Sequence, residues 1–117
     1  MSFTSTDNKG VHISFGNGVV VSAQWGYGNY CQNRDDVRLN NARDRRSVKS
    51  DTCEIAIWVE PTGRWITKYC PVLFDQRRNN NGYDVSGWHT ADDYLRVLKW
   101  AKNLSAERIN KMLQQED

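Results

Sequence analysis

Residues 11–25 read VHISFGNGVVVSAQW, two apolar alternations on either side of a Gly-Asn-Gly turn. A period of two is typical of strands that bury one face, and asparagine and glycine are common in hairpin turns. A two-residue turn would pair Phe15 with Val20 and mix polar with apolar partners along one face. With a three-residue loop the facing residues are all apolar: Phe15 with Val19, Ile13 with Val21, and Val11 with Ala23. We therefore predict the second register, with Gly18 in the left-handed conformation.

A second alternating segment follows between residues 53 and 69. Its apolar residues share one parity, and Pro61-Thr62-Gly63 has the composition of a turn. A three-residue loop predicts these facing pairs: Val59 with Trp65, Ile57 with Thr67, Ile55 with Tyr69, Glu60 with Arg64, and Trp58 with Ile66. This register puts Trp58 on the face away from the first apolar row. Residues 71–74 are interpreted as a short further strand, and residues 75–82 (DQRRNNNG) as a loop.

The last part of the chain has the pattern of two helices. Thr90 is a good N-cap, because Asp92 and Asp93 follow it in the first turn, and Ser105 is a second cap. The apolar residues at helical spacing are Tyr94, Leu95, Leu98, Ala101 and Leu104, then Ile109, Met112 and Leu113. Strands first and helices last predict an α+β fold, an antiparallel sheet built from two hairpins with two C-terminal helices packed on one face. We expect a single domain over residues 1–117, with a flexible N-terminus (1–10), a mobile charged loop (35–51) and a helical tail (90–115).

Length and composition narrow the class of protein. A chain of 117 residues closes one core. It has no apolar run near the roughly 20 residues of a membrane span and no charged-then-apolar leader, so we expect a cytoplasmic protein without a membrane partner. The three cysteines lack paired spacing, and there is no C-x-x-C or H-x-x-x-H. We therefore expect reduced thiols, no metal and no cofactor.

The densest functional signal is the loop after residue 25, which combines glycines, aromatic rings, asparagines and an arginine. Glycines on both sides of Tyr27 let the backbone turn sharply and expose N–H groups to a close ligand. Aromatic rings stack on bases, asparagines read donor and acceptor edges, and arginine binds phosphate. The predicted ligand-binding residues are Trp25, Tyr27, Asn29, Tyr30, Asn33 and Arg34. The alternative is a structural turn in which Tyr30 and Cys31 are core and the asparagines cap turns.

The loop between Arg34 and Asp51 holds six basic and four acidic residues, whereas the whole chain has a net charge of only +2. That small net charge gives no strong signal for duplex DNA. Arg43, Arg45 and Arg46 are candidates for a flap over an anionic ligand. The alternative is a solvated loop of mixed charge without a ligand.

Three stretches carry a resemblance to a known group of proteins. NGVVVSAQWGYGNYCQNR (17–34), EIAIW (54–58) and GWHTADDYL (87–95) resemble small accessory proteins of tailed phages, most of them without an assigned function. The resemblance covers about half the chain. Related forms often carry valine where this chain has Ala23, and the arginine-rich insertion does not belong to the pattern. The resemblance implies a phage-encoded protein of the host bacterial cytoplasm that acts on host defence during infection.

We therefore interpret the chain as a non-enzymatic binding protein that counters host defence by sequestering a nucleotide-derived immune signal. One alternative is a direct inhibitor of a host defence or transcription protein, with Trp58, Ile66 or Trp100 in the interface. Another is a small nuclease that uses His12 and His89 as acid and base. Five tryptophans in so short a chain also predict a homo-oligomer, since one small core does not readily bury them.

Overall fold

Six strands and two helices form the part of the chain that the computed structural model describes, which is residues 1–6, 9–39, 47–73 and 84–115. The elements are β1 (Ser2–Ser5), β2 (Gly10–Ser14), β3 (Val19–Gln24), β4 (Cys53–Val59), β5 (Arg64–Trp65), β6 (Ser86–His89), α1 (Ala91–Lys102) and α2 (Ala106–Gln114). The strands follow the order β1-β2-β3-β4, and β5 and β6 both pair with β4, every pair being antiparallel. The predicted α+β class is confirmed, with more strands than two hairpins supply.

The register of the first hairpin is confirmed. Ile13 faces Val21 and Val11 faces Ala23. The Phe15 N–H donates to the Val19 carbonyl at 2.9 Å, which closes the three-residue loop. Gly18 has a φ of +89°, a conformation that glycine adopts at little steric cost. The apolar pattern selects this register because a slip of one residue would move the whole apolar row to the other face.

The register of the second hairpin was wrong by one residue. Trp58 faces Trp65 and Val59 faces Arg64, so the loop has four residues and closes with a bond from the Gly63 N–H to the Val59 carbonyl. β5 ends after Trp65 because the chain turns into a 3-10 helix at Thr67–Tyr69. There the Thr67 hydroxyl accepts from the Ile57 N–H at 2.8 Å, so a side chain replaces the expected ladder bond.

This shift exchanges the environments of two residues. Ile66 is fully buried in the core, whereas Trp65 is 41% exposed on the same face of the sheet as Trp58. Val20 lies on that face too, as its parity predicts, and is nevertheless buried. The predicted pairing of Trp58 with Ile66 is therefore incorrect, and Ile66 is not available for an interface.

Two further expectations are corrected. Residues 1–10, expected to be flexible, contain β1, which pairs with β2 along its whole length. Its sequence, SFTS, has no buried face and so carries no apolar signal. Residues 71–74, interpreted as a strand, include a 3-10 helix at Pro71–Leu73 that buries Leu73. The sixth strand lies later, at β6, and the predicted loop 75–82 lies outside the described residues.

Both predicted helix caps are present. The Thr90 hydroxyl accepts from the Asp93 N–H while the Asp93 carboxylate accepts from the Thr90 N–H, and Ser105 caps α2. The buried residues of both helices join one core with the apolar face of β3 and β4: Val97, Ala101, Ile109 and Met112. Leu95, which we expected on the apolar stripe, is 66% exposed. The two helices thus share a core with one face of the sheet, as predicted.

The hairpin turn is tied to the end of α1 by one side chain. The Asn17 Nδ2 group donates to the Ala101 carbonyl at 2.8 Å and to the Leu104 carbonyl at 3.0 Å. Its Oδ1 accepts from the Val19 N–H at 3.0 Å. Asn17 therefore joins the β2–β3 loop to the end of α1 and to the residues that follow it.

Candidate functional site

The loop after β3 folds back on itself and uses its own backbone N–H groups. We expected these groups to face a ligand, but each donates within the chain: Gly26 N to Asn29 Oδ1, Gly28 N to the Arg34 carbonyl, and Tyr30 N to Glu54 Oε2. Gly28 has a φ of +83°, which the turn requires. The expected backbone anion site is therefore not formed.

The two asparagines of the loop have structural partners. Asn29 Oδ1 accepts from Gly26, and its Nδ2 lies 3.3 Å from Glu54 Oε1. Asn33 is buried, and its Nδ2 donates to the carbonyls of Trp25 (2.7 Å) and Lys49 (3.0 Å). Asn33 thus holds the loop against Lys49, and Asn29 holds it against Glu54 on β4. The alternative interpretation from sequence, asparagines that fix a turn, describes them better than base recognition does.

The remaining predicted residues separate into three positions. Trp25 lines a cleft on the core side of the sheet. Tyr30 and Arg34 lie together beside β6, where the Arg34 guanidinium carbon is 5.4 Å from the centre of the Tyr30 ring. Tyr27 is exposed and lines neither this cleft nor the polar hollow on the other side of residues 47–49. The six residues thus do not form one pocket.

Trp88, which was not among the residues predicted from the sequence, completes the group around Tyr30. The Trp88 ring lies 5.8 Å from the Tyr30 ring, centre to centre, and the backbone N–H of Trp88 donates to the Tyr30 carbonyl at 2.8 Å. A Cβ atom on Gly87 would lie 2.5 Å from the Tyr30 Cβ, so only glycine permits this approach. We call the surface formed by Tyr30, Arg34 and Trp88 the Trp88 platform.

Trp88 has a φ of +56° and is 38% exposed. A bulky side chain in the left-handed region is a conformational outlier that surrounding structure must hold. The side-chain contacts of Arg34 to described residues are the Tyr30 ring and an Asp35 carboxylate oxygen at 4.0 Å. Its side chain is 49% exposed, so its N–H donors remain accessible. The platform therefore combines exposed ring surface with a cation.

The cleft beside Trp25 has a volume of about 440 Å³. Apart from Val48, the apolar residues of its lining are Val11, Ala23, Trp25, Cys53, Ala91 and Tyr94. Residues 48–52 form one wall, which is held by a bond from Trp25 Nε1 to the Val48 carbonyl at 2.9 Å. We call this the Trp25 cleft. The wall is the C-terminal end of the charged loop that the sequence analysis proposed as an anion flap.

Two titratable side chains that line the Trp25 cleft, Tyr94 and Cys53, are uncharged at pH 7. Burial raises the pKa of Tyr94 to about 12, with a smaller contribution from Cys53, and raises the pKa of the Cys53 thiol to about 12, with smaller contributions from Cys31 and Glu54. The charged residues in its lining are Lys49 and Asp51, both on the wall. Among the described residues the Tyr94 hydroxyl has no hydrogen-bond partner although it is buried. A ligand fits this environment if its uncharged planar part lies in the interior and its charged part lies at the wall.

His89 also lines the cleft and belongs to a buried relay that the sequence analysis did not find. His89 Nε2 contacts the Ser86 hydroxyl, His89 Nδ1 lies 3.1 Å from Asp93 Oδ2, and Arg96 donates to Asp93 Oδ1. These atoms match the pattern of a Ser-His-Asp triad. Ser86 is only 1% exposed, however, so its hydroxyl is not presented to a substrate. The sequence gives only a weak signal for this relay, because Asp93 is already explained as the N3 residue of the helix cap.

The two histidines lie on opposite faces of the sheet. His89 pairs with Cys53 on the core face, whereas His12 contacts Trp58 on the outer face with ring centres 5.0 Å apart. They do not converge on one reacting group, so the two-histidine nuclease is not supported by this geometry. The outer face also holds Trp65, 5.5 Å from Trp58. We call His12, Trp58 and Trp65 the aromatic face.

Other chemistry expected from the sequence is located as follows. The three cysteines are buried free thiols. Within the described ranges, no group of three or more histidine, cysteine or acidic residues is placed to hold a metal ion, and no helix is long and apolar enough to cross a membrane. Arg43, Arg45 and Arg46 lie outside the described residues. Comparisons with protein-family models, curated proteins and solved structures give no match.

Proposed function

We propose that this chain is a non-enzymatic binding protein that takes a nucleotide-type ligand in the Trp25 cleft. The observation that carries the proposal is the cleft itself, about 440 Å³ between Trp25 and Tyr94. Small-molecule sites are typically concave, largely apolar and about 300–1,000 Å³ in volume. This cleft meets all three criteria.

The residues around the cleft favour a base-bearing anion over a purely apolar ligand. Trp25 and Tyr94 offer aromatic surface for a base, and the Tyr94 side chain is uncharged at pH 7, so an uncharged base can pack against it without the desolvation of a charge. Lys49 lies on the wall, where a phosphate group can remain partly in water. Arg43, Arg45 and Arg46 precede this wall in the same loop, and their role as an anion flap stays a prediction.

Sequestration, rather than turnover, is the form of binding that we infer. Ser86 is buried, so the relay presents no nucleophile to a bound ligand, and the two histidines lie on opposite faces, so they cannot act together as acid and base on it. The resemblance to phage accessory proteins supplies the biological setting. In that setting the ligand is a nucleotide-derived signal of bacterial immunity, held in the host cytoplasm.

A thermal-shift screen against cyclic dinucleotides, cyclic trinucleotides and ADP-ribose tests the proposal. We expect at least one to raise the melting temperature, since a ligand that binds only the folded state stabilises it. Lys49→Gln should weaken that ligand about tenfold, and Lys102→Gln, an exposed change on α1, should not. A screen in which no nucleotide stabilises the protein, or in which both variants bind like wild type, would contradict it.

The aromatic face supports a second candidate, the direct inhibitor of a host defence or transcription protein. Trp65 is exposed and stacks edge-on with Trp58, and exposed aromatic clusters are frequent centres of protein interfaces. If this candidate is correct, Trp65→Ala abolishes inhibition of the host protein and no nucleotide shifts the melting temperature. If the cleft is the site, Trp65→Ala leaves the nucleotide shift unchanged.

A further inference from the structure

The Trp88 platform is separate from the Trp25 cleft, and none of its three residues lines the cleft. Its rings lie at the surface beside β6, and the Arg34 guanidinium makes no hydrogen bond to a described residue. It therefore offers aromatic surface and unused N–H donors together. This combination recurs where proteins stack bases and bind phosphate.

The backbone at Trp88 indicates that the ring has a role beyond packing. A φ of +56° is strained for tryptophan, whereas glycine or asparagine adopts it readily. The residue is 38% exposed, so part of the ring remains available to a ligand. Strain of this kind is concentrated at functional sites, where the surrounding structure holds it.

We propose that the Trp88 platform binds single-stranded nucleic acid, with a base stacked on Trp88 and a backbone phosphate accepting from Arg34. The apolar surface of the platform consists of the Tyr30 and Trp88 rings, whereas the core of a protein interface requires a larger apolar patch, so a nucleic acid is favoured over a protein. A duplex is disfavoured, because its bases are already stacked on one another and are not free to stack on Trp88. The proposal is independent of the cleft.

The test is fluorescence anisotropy of a labelled 15-nucleotide oligo-dT at low salt. We expect wild type to bind, and Trp88→Gly to lose at least tenfold in affinity. The same variant should keep a melting temperature close to that of wild type, because relief of the left-handed strain offsets the lost ring contacts. Trp65→Ala is the matched control, since Trp65 is equally exposed but lies on the aromatic face, and it should bind like wild type.

Arg34→Gln provides a second readout that does not depend on the fold of Trp88→Gly. Its affinity should fall, and the slope of log affinity against log salt should become shallower by about 0.7, the value for one phosphate contact on a single strand. The proposal is overturned if wild type does not bind oligo-dT or if a duplex binds equally well. It is also overturned if Arg34→Gln keeps the wild-type slope, or if Trp65→Ala loses as much affinity for oligo-dT as Trp88→Gly does. Stabilisation by the cyclic dinucleotide, cyclic trinucleotide or ADP-ribose that binds the cleft should survive Trp88→Gly, which distinguishes this site from the cleft.

Discussion

Asn17→Ala should destabilise the protein by about 2 kcal/mol, a large loss for a residue in a surface turn. The amide makes three short bonds at 2.8–3.0 Å, from Nδ2 to the carbonyls of Ala101 and Leu104 and from the Val19 N–H to Oδ1, and a longer one from Nδ2 to the Lys102 carbonyl at 3.5 Å. A net contribution of about 1 kcal/mol for each short bond gives an upper value of about 3 kcal/mol. These groups are only partly buried, so water replaces some of the lost bonding in the variant.

Urea denaturation followed by far-ultraviolet circular dichroism measures this loss. Asn17→Asp keeps an acceptor for the Val19 N–H but places a negative charge beside carbonyls at the C-terminus of α1, so it should be less stable than Asn17→Ala. Asn103→Ala is the control, because its exposed side chain makes no hydrogen bond to the described residues. The reasoning is refuted if Asn17→Ala matches this control or if Asn17→Asp is as stable as wild type.

Three further outcomes are expected. Tyr94→Phe should stabilise the protein by about 1 kcal/mol in thermal denaturation, because it removes a buried hydroxyl without a partner, and a loss of stability would mean that the hydroxyl is bonded. The Thr6 N–H bonds to β2, so the N–H of Ser5 points away from the sheet, along an edge where the strand of a second copy can pair. We therefore expect light scattering to show an oligomer whose mass Ser5→Pro reduces, because proline has no N–H to donate, and a monomeric wild type would contradict this. Burial raises the pKa of Cys53 to about 12 and that of Cys70 to about 11, both above the unfolded value near 9. The stability that these buried neutral thiols contribute is therefore complete below pH 9 and is lost between pH 9 and 12. A urea midpoint that does not fall over this range would be inconsistent with this expectation.

The success of the first hairpin and the failure of the second have a common explanation. Around Asn17 only one register makes an apolar face, so the pattern is sufficient. Around Pro61 the alternation continues through Trp65 and Thr67, and two registers are both plausible from the pattern alone. The decision depends on the Thr67 hydroxyl, which bonds to Ile57 across the chain. A long-range bond of this kind has no local signature.

The residue types of the candidate site were predictable from the sequence, but their positions relative to one another were not. Trp25, Tyr30 and Arg34 were identified from residue type, but the sequence does not show that Trp25 and Tyr30 belong to different surfaces. Trp88 was missed because β6 is only four residues long and pairs with β4, more than thirty positions earlier in the chain. Its left-handed backbone opposes the ordinary preference of tryptophan, so no propensity points to it.

The junction between β6 and α1 contributes residues to both proposed sites, the Trp25 cleft and the Trp88 platform, and contains the strained Trp88. Asp93 binds the Thr90 N–H as part of the helix cap and His89 Nδ1 as part of the buried relay, so one carboxylate fixes both the start of α1 and the end of β6. His89 lines the Trp25 cleft, and its neighbour Trp88 forms the platform. A strained conformation persists only where the surrounding structure over-determines it. The relay joins Ser86 and His89, which lie on either side of Trp88, to Asp93 at the start of α1, so it restrains the backbone around the strained residue.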